Sequence, residues 1–142
     1  MNHSRLILFL GCTGAILGTA GLLLYTARTH SPVQELILDS DAARRSFLSE
    51  CGRNAAETPP VQSELTLPEG GTSDIYEAYC ALQDTQQLPL LDHAGQKAVR
   101  WTYTLSQDPS YRAELICTPE GLLLGAMYYD CTRFDRMYPI LT

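Results

Sequence analysis

Cys51, Cys80, Cys117 and Cys131 are the residues of this sequence whose type and spacing most suggest chemistry, and that chemistry is oxidation. They stand 29, 37 and 14 residues apart, with no C-x-x-C among them. A redox-active dithiol would show that motif, and zinc ligands would come in closer pairs. An even count of well-separated cysteines in a small domain points to two structural disulfides. A fifth, Cys12, sits in an apolar segment near the N-terminus.

Other candidates are thin. Asp92-His93 has the composition of a base with its orienter, but Ala94-Gly95 follows, as in a solvated turn. Asp39 and Asp41 are better placed to start a helix, where carboxylates meet the positive end of its dipole. No GxSxG, HExxH, P-loop or GxGxxG pattern occurs. The sequence reads as a non-enzyme, and no catalytic residue, metal or cofactor is implied. The C-terminal stretch is more suggestive. Tyr128, Tyr129, Arg133, Phe134, Arg136, Met137 and Tyr138 are of the types enriched at protein interfaces. Tyr129, Arg133, Phe134, Arg136 and Tyr138 are the expected contact residues.

The elements that position these residues can be read by period. Ser31 to Arg53 reads as helical, with Leu36 and Ile37 in a first run. Asp39-Ser40-Asp41 then caps a second helix, which Gly52 stops. Residues 54–72 are rich in proline and glycine and read as loop, with a short strand at Glu64–Leu67. Ser73 to Gln86 leans to helix, with Ser73 or Asp74 as cap and Ile75, Ala78, Tyr79 and Leu82 on its inner face. Val99, Trp101, Tyr103 and Leu105 alternate as in a half-buried strand. Tyr111–Cys117 and Leu122–Asp130 follow, separated by turns at Ser106–Ser110 and Thr118–Gly121. The fold expected is α+β: one or two helices packed on a C-terminal three-stranded antiparallel meander occupying the end of residues 73–142.

In that meander a four-residue turn places Leu115 opposite Leu124, with Cys117 and Cys131 on different faces. A disulfide needs Cα atoms within roughly 7 Å, so a 117–131 bond is disfavoured. Two pairings remain: 51–117 with 80–131, or 51–131 with 80–117. A bulge at Gly125 would change the alternation.

The N-terminal part sets the location. After residues 1–5, Leu6 to Ala27 runs for 22 residues without a charge. As a helix it reaches about 33 Å, against a bilayer core of roughly 30 Å. A single membrane span, retained as a signal-anchor, is the reading preferred. A cleaved signal ending at Gly18-Thr19-Ala20, giving a secreted protein, is the alternative. Gly11, Gly14, Gly18 and Gly21 share one helix face, a stripe suited to close helix packing and to a homodimer through the membrane.

The chain beyond Ala27 carries 9 Lys or Arg against 16 Asp or Glu. That balance, with a single lysine at position 97, excludes the basic patch that nucleic-acid binding needs. Arg28, Arg44 and Arg45 would by charge alone keep the C-terminal part inside, yet long domains cross largely regardless of charge. The cysteines favour export. The sequence therefore reads as a small single-pass protein of the bacterial inner membrane with a periplasmic domain that binds another protein. An immunity or inhibitor protein against an exported toxin or hydrolase is the alternative, since acidic inhibitors are steered onto basic targets.

Overall fold

The computed structural model describes residues 35–70, 73–133 and 135–142. The expected membrane segment 6–27, with its glycine stripe, lies outside them, as does Phe134. No helix among the described residues is long and apolar enough to cross a membrane.

Five strands form one antiparallel sheet in sequence order: β1 (Val61–Thr66), β2 (Lys97–Thr104), β3 (Tyr111–Cys117), β4 (Leu123–Asp130) and β5 (Met137–Tyr138). The meander is thus larger than the three strands expected. β1 begins three residues before the short strand expected at Glu64, because Val61 to Thr66 pairs residue for residue with β2. β5 escapes a sequence reading because it holds only two residues, paired with Tyr128 and Tyr129.

Two helices cover the two faces of the sheet. Helix α1 (Asp41–Glu50) starts at Ser40, whose hydroxyl accepts the Ala43 N–H, and ends before Gly52 at φ +73°. It lays Phe47 and Leu48 on a face made by Tyr103, Leu105, Ala113, Leu115, Cys117, Leu123 and Ala126. Helix α2 (Asp74–Thr85) starts at Ser73, whose hydroxyl accepts the Tyr76 N–H. It lays Tyr79 and Cys80 on the other face, against Ala98, Ile116 and Leu124. The inner face of α2 is carried by Tyr79, Cys80 and Gln83 rather than Ile75 and Ala78; Ile75 is 75% exposed. Each cluster closes over side chains that a single mutation to Ala would destabilise by about 2–5 kcal/mol.

The stretch before α1 differs from its helical expectation. Leu36 to Leu38 runs extended beside the β3–β4 turn, with Leu38 N–H donating to Gly121 O and Leu123 N–H donating to Leu36 O. Their alternation explains this: Ile37 faces solvent while Leu38 is buried. The contact is close enough to demand glycine. A Cβ on Gly121, at φ +101°, would lie 2.6 Å from the Asp39 Cα.

A register shift in the β3–β4 hairpin sits where the glycine suggested. Ile116 pairs with Gly125 but Cys117 pairs with Leu123, leaving Leu124 as the extra residue. Leu123 and Leu124 enter opposite clusters, as successive strand residues do, and the shift brings Ala126, three residues on, into the cluster of Leu123. Leu115 faces Ala126 rather than Leu124.

Two buried glutamines join α2 to the edge of β4, where the short β5 leaves backbone groups without a strand partner. The Ala126 N–H donates to Gln83 Oε1 at 2.8 Å, and Gln86 Nε2 donates to Ala126 O at 2.8 Å. Gln86 Oε1 accepts the Ile140 and Leu141 N–H groups. The side-chain amides thus do the work of a missing strand, satisfying groups that would be costly to bury unpaired.

Candidate functional site

No disulfide joins the described cysteines. Their positions divide the two pairings expected. Cys117 belongs to the cluster under α1, against which Cys51 also packs. Cys80 belongs to the cluster under α2. The sheet separates Cys80 from Cys117, which removes the pairing of 80 with 117. Burial pushes the Cys117 thiol up to about 11, and burial followed by the Glu50 charge raises that of Cys51. Raised thiols are poor nucleophiles at neutral pH. Among the described residues, no group of three or more His, Cys, Asp or Glu is placed to hold a metal ion. His93 is engaged with the Gln96 side chain, 2.9 Å from Nδ1 to Oε1.

A pocket at the other end of the α1 face is better equipped. It encloses about 390 Å³ and is lined by Gly52, Arg53, Leu105, Gln107, Asp108, Tyr111, Tyr128 and Tyr138. Its walls come from four places in the chain. Leu105 and Tyr111 flank the β2–β3 turn, Tyr128 lies on β4, Tyr138 on β5, and Arg53 follows the end of α1. The chain after α1 is sewn onto the turn: Ser106 N–H donates to Asn54 O, Ala56 N–H to Thr104 O, and Gln107 Nε2 to Gly52 O. Arg53 is thereby fixed over the strands.

Tyr128 forms the floor. The Arg53 guanidinium lies 4.0 Å from its ring centroid and donates from Nη2 to its hydroxyl at 2.9 Å. Tyr138 stacks on Tyr128 with centroids 5.0 Å apart and planes 23° from parallel. Tyr111 closes the side at 6.2 Å, tilted by 45°. Arg53 Nε is buried without a hydrogen-bond partner among the described residues. At the rim, Asp108 Oδ1 accepts from the backbone N–H and the hydroxyl of Ser110, which hold its carboxyl below the usual range. Asp130 is held down in the same way by the Thr132 hydroxyl and N–H. Arg136 lies close enough to Tyr138 for that hydroxyl to favour its charged form.

The expected contact residues are divided by the sheet. Tyr138 enters the pocket, and Arg133 and Arg136 are exposed nearby. Tyr129 points to the opposite face, close to Glu114. Arg53, Asp108 and Tyr111 were not anticipated. The Gly52 stop signalled that the chain turns after α1, but nothing local in the sequence says that it turns back onto β4. A second hollow, of about 400 Å³, lies over the β1–β2 pair and Pro119 but has no aromatic lining.

Two further polar groups are structural. Arg44 is buried at 5% exposure, stacked 3.6 Å from the Trp101 ring and bonded from Nε to the Tyr103 hydroxyl. Tyr103 in turn donates to Asp41 at 2.7 Å, so one network ties the start of α1 to β2. Glu114 lies on the α2 face of β3, where burial raises its carboxyl and the Arg100 charge opposes that rise.

Comparison with known protein families, curated proteins and solved structures finds no match.

Proposed function

We propose that this chain is a membrane-anchored accessory protein of the bacterial envelope. Its periplasmic α+β domain binds another protein through the tyrosine–arginine pocket. The observation that carries this reading is the pocket's construction: three clustered tyrosines with a guanidinium stacked and bonded over the central one. Tyrosine and arginine dominate the few residues that supply most binding energy at interfaces. Here their rotamers are already fixed, so less conformational entropy is lost on binding. The exposed Arg133 and Arg136 beside it would meet the rim of a partner.

Affinity capture from solubilised membranes tests this reading. Tyr138→Ala should reduce recovery of the partner at least tenfold, as loss of a central aromatic residue does. Tyr129→Ala, on the other face, should leave it intact. Equal recovery with both variants would remove the pocket from the interface.

A further inference from the structure

The two edges of the sheet are finished differently. At the β4 edge the short β5 and the Gln83 and Gln86 side chains take up backbone groups. At the opposite edge β1 pairs with β2, and no strand among the described residues lies beyond it. β1 runs for six residues in unbroken register with β2. It holds no proline, no lysine or arginine and no bulge, the devices that keep an exposed edge from pairing. Its backbone directions follow from Leu67, whose N–H donates to Gln96 O at 2.9 Å and whose carbonyl accepts the Gly95 N–H at 2.8 Å. Successive strand residues turn their backbone groups to opposite sides. Val61, Ser63 and Leu65 therefore bond to β2, while Gln62, Glu64 and Thr66 present their N–H and C=O groups outward.

The side chains of β1 select what can pair there. Leu65 packs against the cluster under α2, and alternation puts Ser63 and Val61 on that same face. Val61 is 68% exposed. Gln62, Glu64 and Thr66 are exposed on the other face. An antiparallel second β1, related by a two-fold axis normal to the sheet, keeps like faces together. Centred on Ser63, it sets Val61 opposite Leu65 of the second copy and Gln62 opposite Glu64 of the second copy. Apolar then meets apolar on one face, and amide meets carboxylate on the other. Gln62 and Glu64 are also the residues with outward backbone groups, so both of their pairs exchange N–H···O bonds. Centred on Glu64 instead, the strands would set like charges opposite each other, which destabilises. We propose that β1 pairs with β1 of a second copy of this chain, Ser63 against Ser63, giving one sheet continuous through the dimer. A two-fold interface requires a surface that is its own complement, and β1 in this register is one. A single strand pair is a small contact beside the roughly 1,200–2,000 Å² of a standard interface, so the dimer is weak and is best read by a trap at its axis. β1 contributes no residue to the tyrosine–arginine pocket, so the two readings stand or fall separately.

Disulfide trapping in the full chain, in detergent micelles under a mild thiol oxidant, is the test. At the axis the two Ser63 residues form a non-hydrogen-bonded pair with Cα atoms about 4.5 Å apart, within the roughly 4.4–6.8 Å of a disulfide. The two Val61 residues are offset by roughly 13 Å along the strands, beyond that reach. Ser63→Cys should therefore form a 63–63 linkage between copies, identified by peptide mapping, about tenfold or more faster than Val61→Cys forms a 61–61 linkage. Val61 is the more exposed of the two, so random collision favours the opposite order. Gln62→Pro removes an outward N–H and no bond to β2, and an edge strand tolerates it. Added to Ser63→Cys, it should slow the 63–63 linkage by a similar factor. Equal rates at 61 and 63, as a dimer held only elsewhere in the chain would give, would overturn the proposal. So would a 63–63 linkage indifferent to Gln62→Pro in a folded protein, or linkage at 63 to another protein with none between copies. The comparison of 63 with 61 does not need the proline variant, so it decides even if Gln62→Pro fails to fold.

Discussion

At Glu114 the fold holds a carboxyl that its surroundings do not favour as a charge. The residue is 8% exposed, and burial raises its pKa above the ordinary 4.5. A folded-state pKa above the unfolded one stabilises the protein below pH 4.5 and withdraws that stability as pH rises through the folded value. Glu114→Gln should therefore raise Tm at pH 7, by a few degrees for about 1 kcal/mol, and flatten the acid side of the stability profile. A lower Tm for the amide would mean that the charge is specifically held. The same sign applies at high pH. Burial and the Asp41 hydrogen bond push Tyr103 up to about 12, and burial pushes Cys117 up to about 11. Their stabilising contribution is complete at neutral pH and is lost as pH climbs through those values. Tyr103→Phe should remove part of that alkaline limb, visible as a smaller fall in Tm between neutral and high pH. The cysteines make a residue prediction of another kind. Cys80 and Cys117 serve different faces of the sheet, so non-reducing peptide mapping should never recover an 80–117 linkage. Finding that bridge would contradict the arrangement of the two clusters.

Among the elements, α2 depends on its glutamines as much as on its apolar face. Gln86 serves one carbonyl of β4 and two N–H groups of the C-terminal tail. Gln86→Ala leaves these without partners, at about 1–3 kcal/mol for each group that water cannot reach. Tm should fall by roughly 10 °C, and hydrogen exchange at Ile140 and Leu141 should speed up before the core of β3 does. Unchanged exchange in the tail would show that the amides are not its anchor. Much of this architecture was legible from period and caps. Ser40 and Ser73 announced the helices, and the alternation from Val99 to Leu105 announced β2. Two things stayed hidden for physical reasons. Period-two burial over only Leu36 to Leu38 is too brief to separate from a helical turn. Glutamines that replace a strand have no sequence signature, because Gln83 and Gln86 look like any polar helix residues. The site was legible only in half. Tyr138 and its arginine neighbours showed by composition, whereas Arg53 and Tyr111 reach Tyr128 through tertiary packing alone.

Taken as a whole, the domain is an antiparallel sheet sandwiched by two helices, with Arg53, Tyr111, Tyr128 and Tyr138 gathered around one pocket. The proposal that it works as a tethered binding module makes that pocket the contact with its partner. A photo-cross-linking amino acid placed at Tyr138 in the full chain, with the same group at Ile75 on the exposed side of α2 as control, separates the two regions in living membranes. Position 138 should yield a discrete adduct that disappears with Arg53→Gln, and position 75 should yield none. No adduct at 138, or equal adducts at both positions, would contradict the assignment of the tyrosine–arginine pocket as the binding surface.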